Sequence, residues 1–251
     1  FGFFPEDAFE DQIGLPVPEH EQGVLEEPSD LSIDLVPLPA EYFAGSARLP
    51  KPFIRMIDRI TGIWPEGGVA GLGRYRADKD VSADEWFFKA HFFQDPVQPG
   101  SLGIEAMIQL LQLALLHRGL GRLGAHFEPI AIGTPLTWKY RGQVVPTSRI
   151  VSTVVDLTEI GADERGPYAI ANASLWVDGK RIYEASHLGM RIVADAEELL
   201  DPGKDRWLSD HCPTFTVPAL PLMSMVDRLA AAAPGMVVAM DRVQVERWLT
   251  V

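Results

Sequence analysis

A histidine set among aromatic residues is the first group in this chain able to do chemistry near neutral pH. His91 follows Trp86, Phe87 and Phe88 and precedes Phe92 and Phe93. An imidazole with an ordinary pKa near about 6.5 accepts a proton without prior activation. Taken alone, such a histidine is more often a core residue bonded to backbone. Glu105 is flanked by Ile104, Ala106, Met107 and Ile108, and burial in such a setting suits a general acid. A glutamate favoured by the dipole in a first helical turn is the plainer alternative. Between the two, Pro99, Gly100 and Ser101 supply helix-start chemistry, and a glycine there lets a ligand reach unpaired backbone N–H groups. Gln109 shares a helix face with Glu105 and is expected to orient it, to hold a leaving water, or to pack as a polar residue.

A base, an acid and backbone donors together suit removal of a proton beside a thioester carbonyl with loss of a β-hydroxyl. In that scheme the Gly100 N–H polarises the thioester oxygen, His91 takes the proton from C2, and Glu105 protonates the departing hydroxyl. Gly100, Ser101 and Gln109 are the expected substrate contacts, and no metal or organic cofactor is needed. Other signals are weaker. His117, His126 and His187 lack ligand spacing and read as helix-end, loop and strand residues, while His20 lies in a proline-rich stretch. GLGRYR at 71–76 lacks a full dinucleotide fingerprint and reads as strand.

These groups need a frame. Apolar residues at 104, 107, 108, 110, 111, 113, 115 and 116 are dense enough for a helix buried on most sides. Pro99 to Ser101 mark its start, and Gly119 and Gly121, after His117 and Arg118, its stop. The length is about 18 residues, roughly 27 Å at about 1.5 Å per residue. Before it, FIRMIDRITGIW and VAGLGRYRAD read as two strands joined by PEGG. After it come PIAIGTPLTWKYRGQV, RIVSTVVDLTEI, YAIANASLWVDG and KRIYEASHLGMRIV, four strand-like runs with VDGKR as a hairpin. The prediction is an α+β domain in which a sheet wraps one central helix.

Residues 1–45, with prolines at 16, 18, 28, 37 and 39, are expected to be a linker, the tail of an upstream domain, or a wrapping arm. The aromatic start FGFFPEDAF reads as a docked tail. The catalytic unit is expected over 46–195. AEELLDPGK at 196–204 interrupts the β pattern, so 196–251 is expected to begin a second, incomplete unit. An internal repeat supports it. Trp86, His91, Pro96, Pro99 and Glu105 are echoed by Trp207, His211, Pro218, Pro221 and Asp227. Leu222 stands where the first copy has Gly100 and would obstruct approach to the helix start, so the second copy reads as degenerate, with His211 and Asp227 as a secondary candidate pair.

Composition narrows the partners. Apolar residues make up 47% of 251, ordinary for a globular core. The formal net charge of −13 disfavours nucleic acid and anionic membranes. An acidic carrier protein would need a local basic patch, for which Arg118, Arg122, Lys139 and Arg141 are candidates. The longest apolar stretch, Ile104 to Leu116, is interrupted by Glu105, Gln109 and Gln112 and falls short of the roughly 20 residues of a membrane span. One cysteine, Cys212, excludes an internal disulfide framework and points to a reducing compartment, the cytoplasm by default. The chain lacks an initiator Met and reads as a piece of something longer.

The string HFFQDPVQPGSLGIEAM resembles the signature of the 3-hydroxydecanoyl-carrier-protein dehydratase/isomerase family, most closely its versions embedded in polyunsaturated fatty acid and polyketide synthases. The likeness covers about 45–195. It implies a hot-dog fold, a 3-hydroxyacyl group on an acyl carrier protein as substrate, a base at His91, an acid at Glu105 and a carbonyl donor at Gly100. The decanoyl enzymes have Asp at the acid position, whereas Glu matches related dehydratases without isomerase activity, so isomerisation stays open. The resemblance also implies that two hot-dog units complete a site, either as a homodimer or as a double hot dog with the unit from 205 on, which would set His91 against Asp227 and His211 against Glu105. Thioester hydrolysis on the same fold and a non-catalytic synthase module are the competing readings.

Overall fold

The computed structural model describes residues 14–121, 125–130 and 136–194, together with Val226, Asp227 and Ala230. The helices are α1 (Ala40–Phe43), α2 (Trp86–Ala90) and α3 (Gly100–His117). The strands are β1 (Ile33–Asp34), β2 (Arg59–Trp64), β3 (Arg74–Asp80), β4 (Ala125–Ile130), β5 (Thr137–Tyr140), β6 (Ile150–Asp163), β7 (Gly166–Val177) and β8 (Lys180–Ala194). Among the described residues they form one sheet ordered β1-β2-β3-β6-β7-β8-β4, with β5 also on β8. Every pairing is antiparallel. Strands β4 and β5 share one edge of β8, pairing with residues 189–194 and 183–186 in turn. The sheet packs around α3 in a hot-dog fold, an α+β architecture as expected.

Helix α3 supplies the centre of the core. Met107, Leu110, Leu111, Leu113 and Ala114 are fully buried, and the helix touches β3, β6, β7 and β8. By length and apolar composition it passes for a membrane span, but its apolar residues are covered by the sheet. Its end is a Schellman motif, with Leu120 N–H on Leu115 O and Gly119 N–H on Leu116 O. The motif needs a left-handed residue after the cap, and Gly119 supplies it at φ +70°. The VDGKR hairpin is equally local: Asp178 and Gly179 both have positive φ, as a type I′ turn requires.

Two stretches differ from expectation. VAGLG is not strand, because Gly68, Gly71 and Gly73 take positive φ and the turn closes through Gly73 N–H on Gly67 O; β3 starts only at Arg74. Residues 53–58 are likewise outside β2, which starts at Arg59, and they turn over the side of α3.

Residues 14–28 form a wrapping arm over the outer face of the sheet. Leu15 N–H donates to Arg181 O at 2.8 Å. Arg181 reaches the Pro16 carbonyl and pairs with Glu21 at 2.7 Å. Arg76 donates to the carbonyls of Val24, Leu25 and Glu27, while Arg74 joins Asp156 and the His20 carbonyl. Val24 is buried with Val154 and Trp176. This explains why β6 is buried at every position from Val151 to Leu157: alternate residues face α3 and the arm.

Of the remaining expectations, FGFFPEDAF, Arg122, Trp207, His211, Cys212, Pro218, Pro221 and Leu222 lie outside the described residues.

Candidate active site

The loop between α2 and α3 carries His91 at its start and Gly100 at its end. Phe87 and Phe88 anchor α2 in the core, and His91 N–H caps the helix on Phe87 O at 3.0 Å. The loop is tied down at its far end by Gln98 N–H on Val144 O at 2.9 Å. Within it, His91 Nδ1 lies 3.0 Å from the Val97 carbonyl oxygen. A carbonyl only accepts, so Nδ1 is the donor, and in the neutral ring Nε2 then carries the lone pair. The half-buried ring stacks against Phe92 at 4.0 Å between centroids. An oriented imidazole with a free Nε2 is suited to general-base work.

Glu105 sits on the second turn of α3 and is half-buried rather than fully enclosed. One oxygen accepts from Gln109 Nε2 at 2.8 Å. Gln109 is 0% exposed and is itself clamped, accepting from Met56 N–H at 2.7 Å and donating to Ile54 O at 2.9 Å. Because its Oε1 faces an N–H, its amide cannot be flipped, and both of its donors are used. Gln109 is thus buried with its acceptor and both donors engaged, one of them on Glu105. The second carboxyl oxygen has no partner among the described residues.

Gly100 is the first residue of α3, so its N–H has no intrahelical acceptor. Aromatic side chains bound the space beside its Cα: a Cβ there would stand 3.2 Å from the Trp138 indole and 3.7 Å from the Tyr183 hydroxyl. Ser101 is exposed beside it. Tyr183 packs on the same helix turn because residue 103 is glycine; a Cβ at Gly103 would stand 1.9 Å from the ring. These aromatic neighbours were missed in the sequence. The signal that could have found them was Gly103, an isolated glycine inside a helix, which lowers helix stability unless close packing requires it.

His91 and Glu105 share no hydrogen bond or ion pair within the described chain. Nor does His91 meet Asp227, whose carboxylate lies on Arg48 at 3.3 Å; the pairing of His91 with Asp227 in one chain is not formed. His117 bonds Tyr42 at 3.1 Å, and His187 sits exposed at positive φ in β8. His126 lies in β4, and His20 in a 3-10 turn of the arm. The basic candidates among the described residues do not make one patch. Arg118 is at the far end of α3 on Tyr75 and Leu72. Lys139 and Arg141 are at β5, near the helix start, with Lys139 paired to Glu184 at 2.9 Å.

A FabA-like domain model matches residues 49–186, more than half of the chain. The chain belongs to the FabA-like family. It is 34% identical over 144 residues to a polyunsaturated fatty acid synthase polypeptide of Thraustochytrium sp., covering 57% of this chain and 9% of that protein. Among solved structures, the dehydratase heterocomplex ApeI:P from Xenorhabdus doucetiae aligns over 61% of this chain and 90% of that one, at 13% identity and TM-score 0.42. A mutant of the fluoroacetyl-CoA-specific thioesterase FlK aligns over 53% of this chain and 93% of that one, at 13% identity and TM-score 0.39.

Proposed function

We propose that this FabA-like domain removes water from 3-hydroxyacyl thioesters presented by an acyl carrier protein, giving 2-enoyl thioesters within a multidomain synthase for fatty acids, of the polyunsaturated type. The observation that carries the reading is the clamped pair of side chains: His91 with Nε2 free, and Glu105 held through Gln109. His91 removes the C2 proton, the Gly100 N–H stabilises charge on the thioester oxygen, and Glu105 protonates the leaving hydroxyl. A single cysteine suits a reducing, cytoplasmic setting.

We further propose that two copies of the chain complete each site, His91 of one copy facing Glu105 of the other, since no hydrogen bond or ion pair joins the two groups among the described residues. The exposed Phe53, Phe92 and Phe93, the last 90% exposed, suit a covering partner. The test follows a 3-hydroxyacyl pantetheine thioester by enoyl absorbance in the wild type, His91→Ala and Glu105→Gln. Each variant alone is expected to be inactive, and their mixture is expected to recover part of the activity. Undiminished turnover in His91→Ala refutes the mechanism, release of free acid as the main product favours hydrolysis, and a mixture that stays dead refutes pairing across copies.

A further inference from the structure

Tyr183 lies in β8 with its ring against the first turns of α3. Its place depends on Gly103, where a Cβ would stand 1.9 Å from Cε2 of the ring. From the other side it is held edge-on by Tyr140 and Trp138, with centroids at 5.3 and 5.7 Å. The side chain is only 1% exposed, yet its hydroxyl has no hydrogen-bond partner among the described residues. It is not among the fully enclosed side-chain atoms that lack a partner, so it is not sealed in the core and stays within reach of water or a ligand. The hydroxyl instead points at the start of α3, 3.7 Å from where a Cβ on Gly100 would stand.

We propose that the Tyr183 hydroxyl is a second donor to the thioester oxygen, acting with the Gly100 N–H as an oxyanion-binding pair. The assignment rests on the dehydratase reading and adds a residue to it. As His91 takes the C2 proton, the C–H electron pair moves into the C1–C2 bond and charge gathers on the thioester oxygen, where both donors lie ready. When the C3–O bond breaks, that pair closes the C2–C3 double bond, and the hydroxyl leaves with the proton from Glu105 as water. Tyr183 keeps its own proton throughout. Burial, and after it the neighbouring Tyr140, push its phenol above the ordinary range, so it stays a neutral donor and does not compete as a base. Trp138, 41% exposed on the edge strand, lies beside the pair.

Tyr183→Phe in the 251-residue chain removes one oxygen and no internal hydrogen bond. Two rates are measured: dehydration of a 3-hydroxyacyl pantetheine thioester, and deuterium exchange at C2 of the matching saturated acyl thioester, which has no hydroxyl to lose. Both are expected to fall about 10–100-fold, with KM and melting temperature little changed. Dehydration and exchange at wild-type rates in Tyr183→Phe overturn the donor role and leave the dehydratase reading standing. Slowed dehydration with unchanged exchange also overturns it, since the hydroxyl would then act on the leaving group. A wild-type chain that does neither overturns both.

Discussion

Replacing Gln109 by leucine separates the orientation of Glu105 from the packing of α3. Gln109 is 0% exposed, and its amide bonds to Met56 N–H, Ile54 O and Glu105. Leucine fills similar volume but leaves the Met56 N–H, on a buried residue, without an acceptor, at about 1–3 kcal/mol. The Ile54 carbonyl adds up to about 1 kcal/mol, and the extra apolar burial returns about 1 kcal/mol. The net loss is up to about 3 kcal/mol, which lowers the melting temperature by up to about 10 °C for a domain of this size. Glu105 also loses the donor that aims it, and about 10–100-fold in kcat, equivalent to about 1.4–2.8 kcal/mol, is the expected result. Circular dichroism melts give the first number, and enoyl formation well below both melting temperatures gives the second. In a Glu105→Ala background the same change should still lower the melting temperature but have no further effect on residual turnover. A stability loss with wild-type kcat would refute the positioning role. No change in either would refute the clamp itself.

Three further outcomes follow from the packing. A chain starting at residue 29 loses the arm that covers Val154 and Trp176 and receives Arg76 and Arg181, so it should melt at least about 10 °C lower or aggregate; equal stability by calorimetry would show the arm to be dispensable. Gly103→Ala places a methyl inside the Tyr183 ring, and a loss of about 3 kcal/mol or more in urea unfolding is expected, since overpacking is poorly tolerated there; a wild-type midpoint would refute it. Burial raises Tyr42 and Tyr183 above the ordinary phenol range. A raised folded value means the stability they contribute is complete below the unfolded value near about 10 and declines as pH rises above it. In a titration at 295 nm these two of the five tyrosines should ionise only as the chain unfolds, and reversible titration of all five in a folded chain would contradict that.

Much of the framework was legible because its causes are local. The span of α3, its stop at Gly119 and the Asp178–Gly179 hairpin each follow from residues adjacent in the chain, so spacing alone locates them. The turn at 65–73 resists such reading because its glycines interrupt an apolar string whose pattern mimics a strand. The arm was ambiguous for a different reason: prolines and acids look the same in a free linker and in a segment fastened by arginines from strands fifty or more residues away.

Residue types and spacing single out the groups chemically suited to act. The types and order of His91, Gly100 and Glu105, the helix between and beyond them, and the FabA-like signature all lie within one continuous stretch of chain. How those groups are held depends on the folded chain. It brought Met56 and Ile54 onto Gln109, set the Val97 carbonyl against His91, and laid Tyr183 and Trp138 over Gly100. It also kept His91 from bonding Glu105 or Asp227 within one chain. Hydrogen-bond direction, burial and close approach depend on residues distant in sequence that meet only when the sheet closes around its helix, and no periodicity along the chain encodes those meetings.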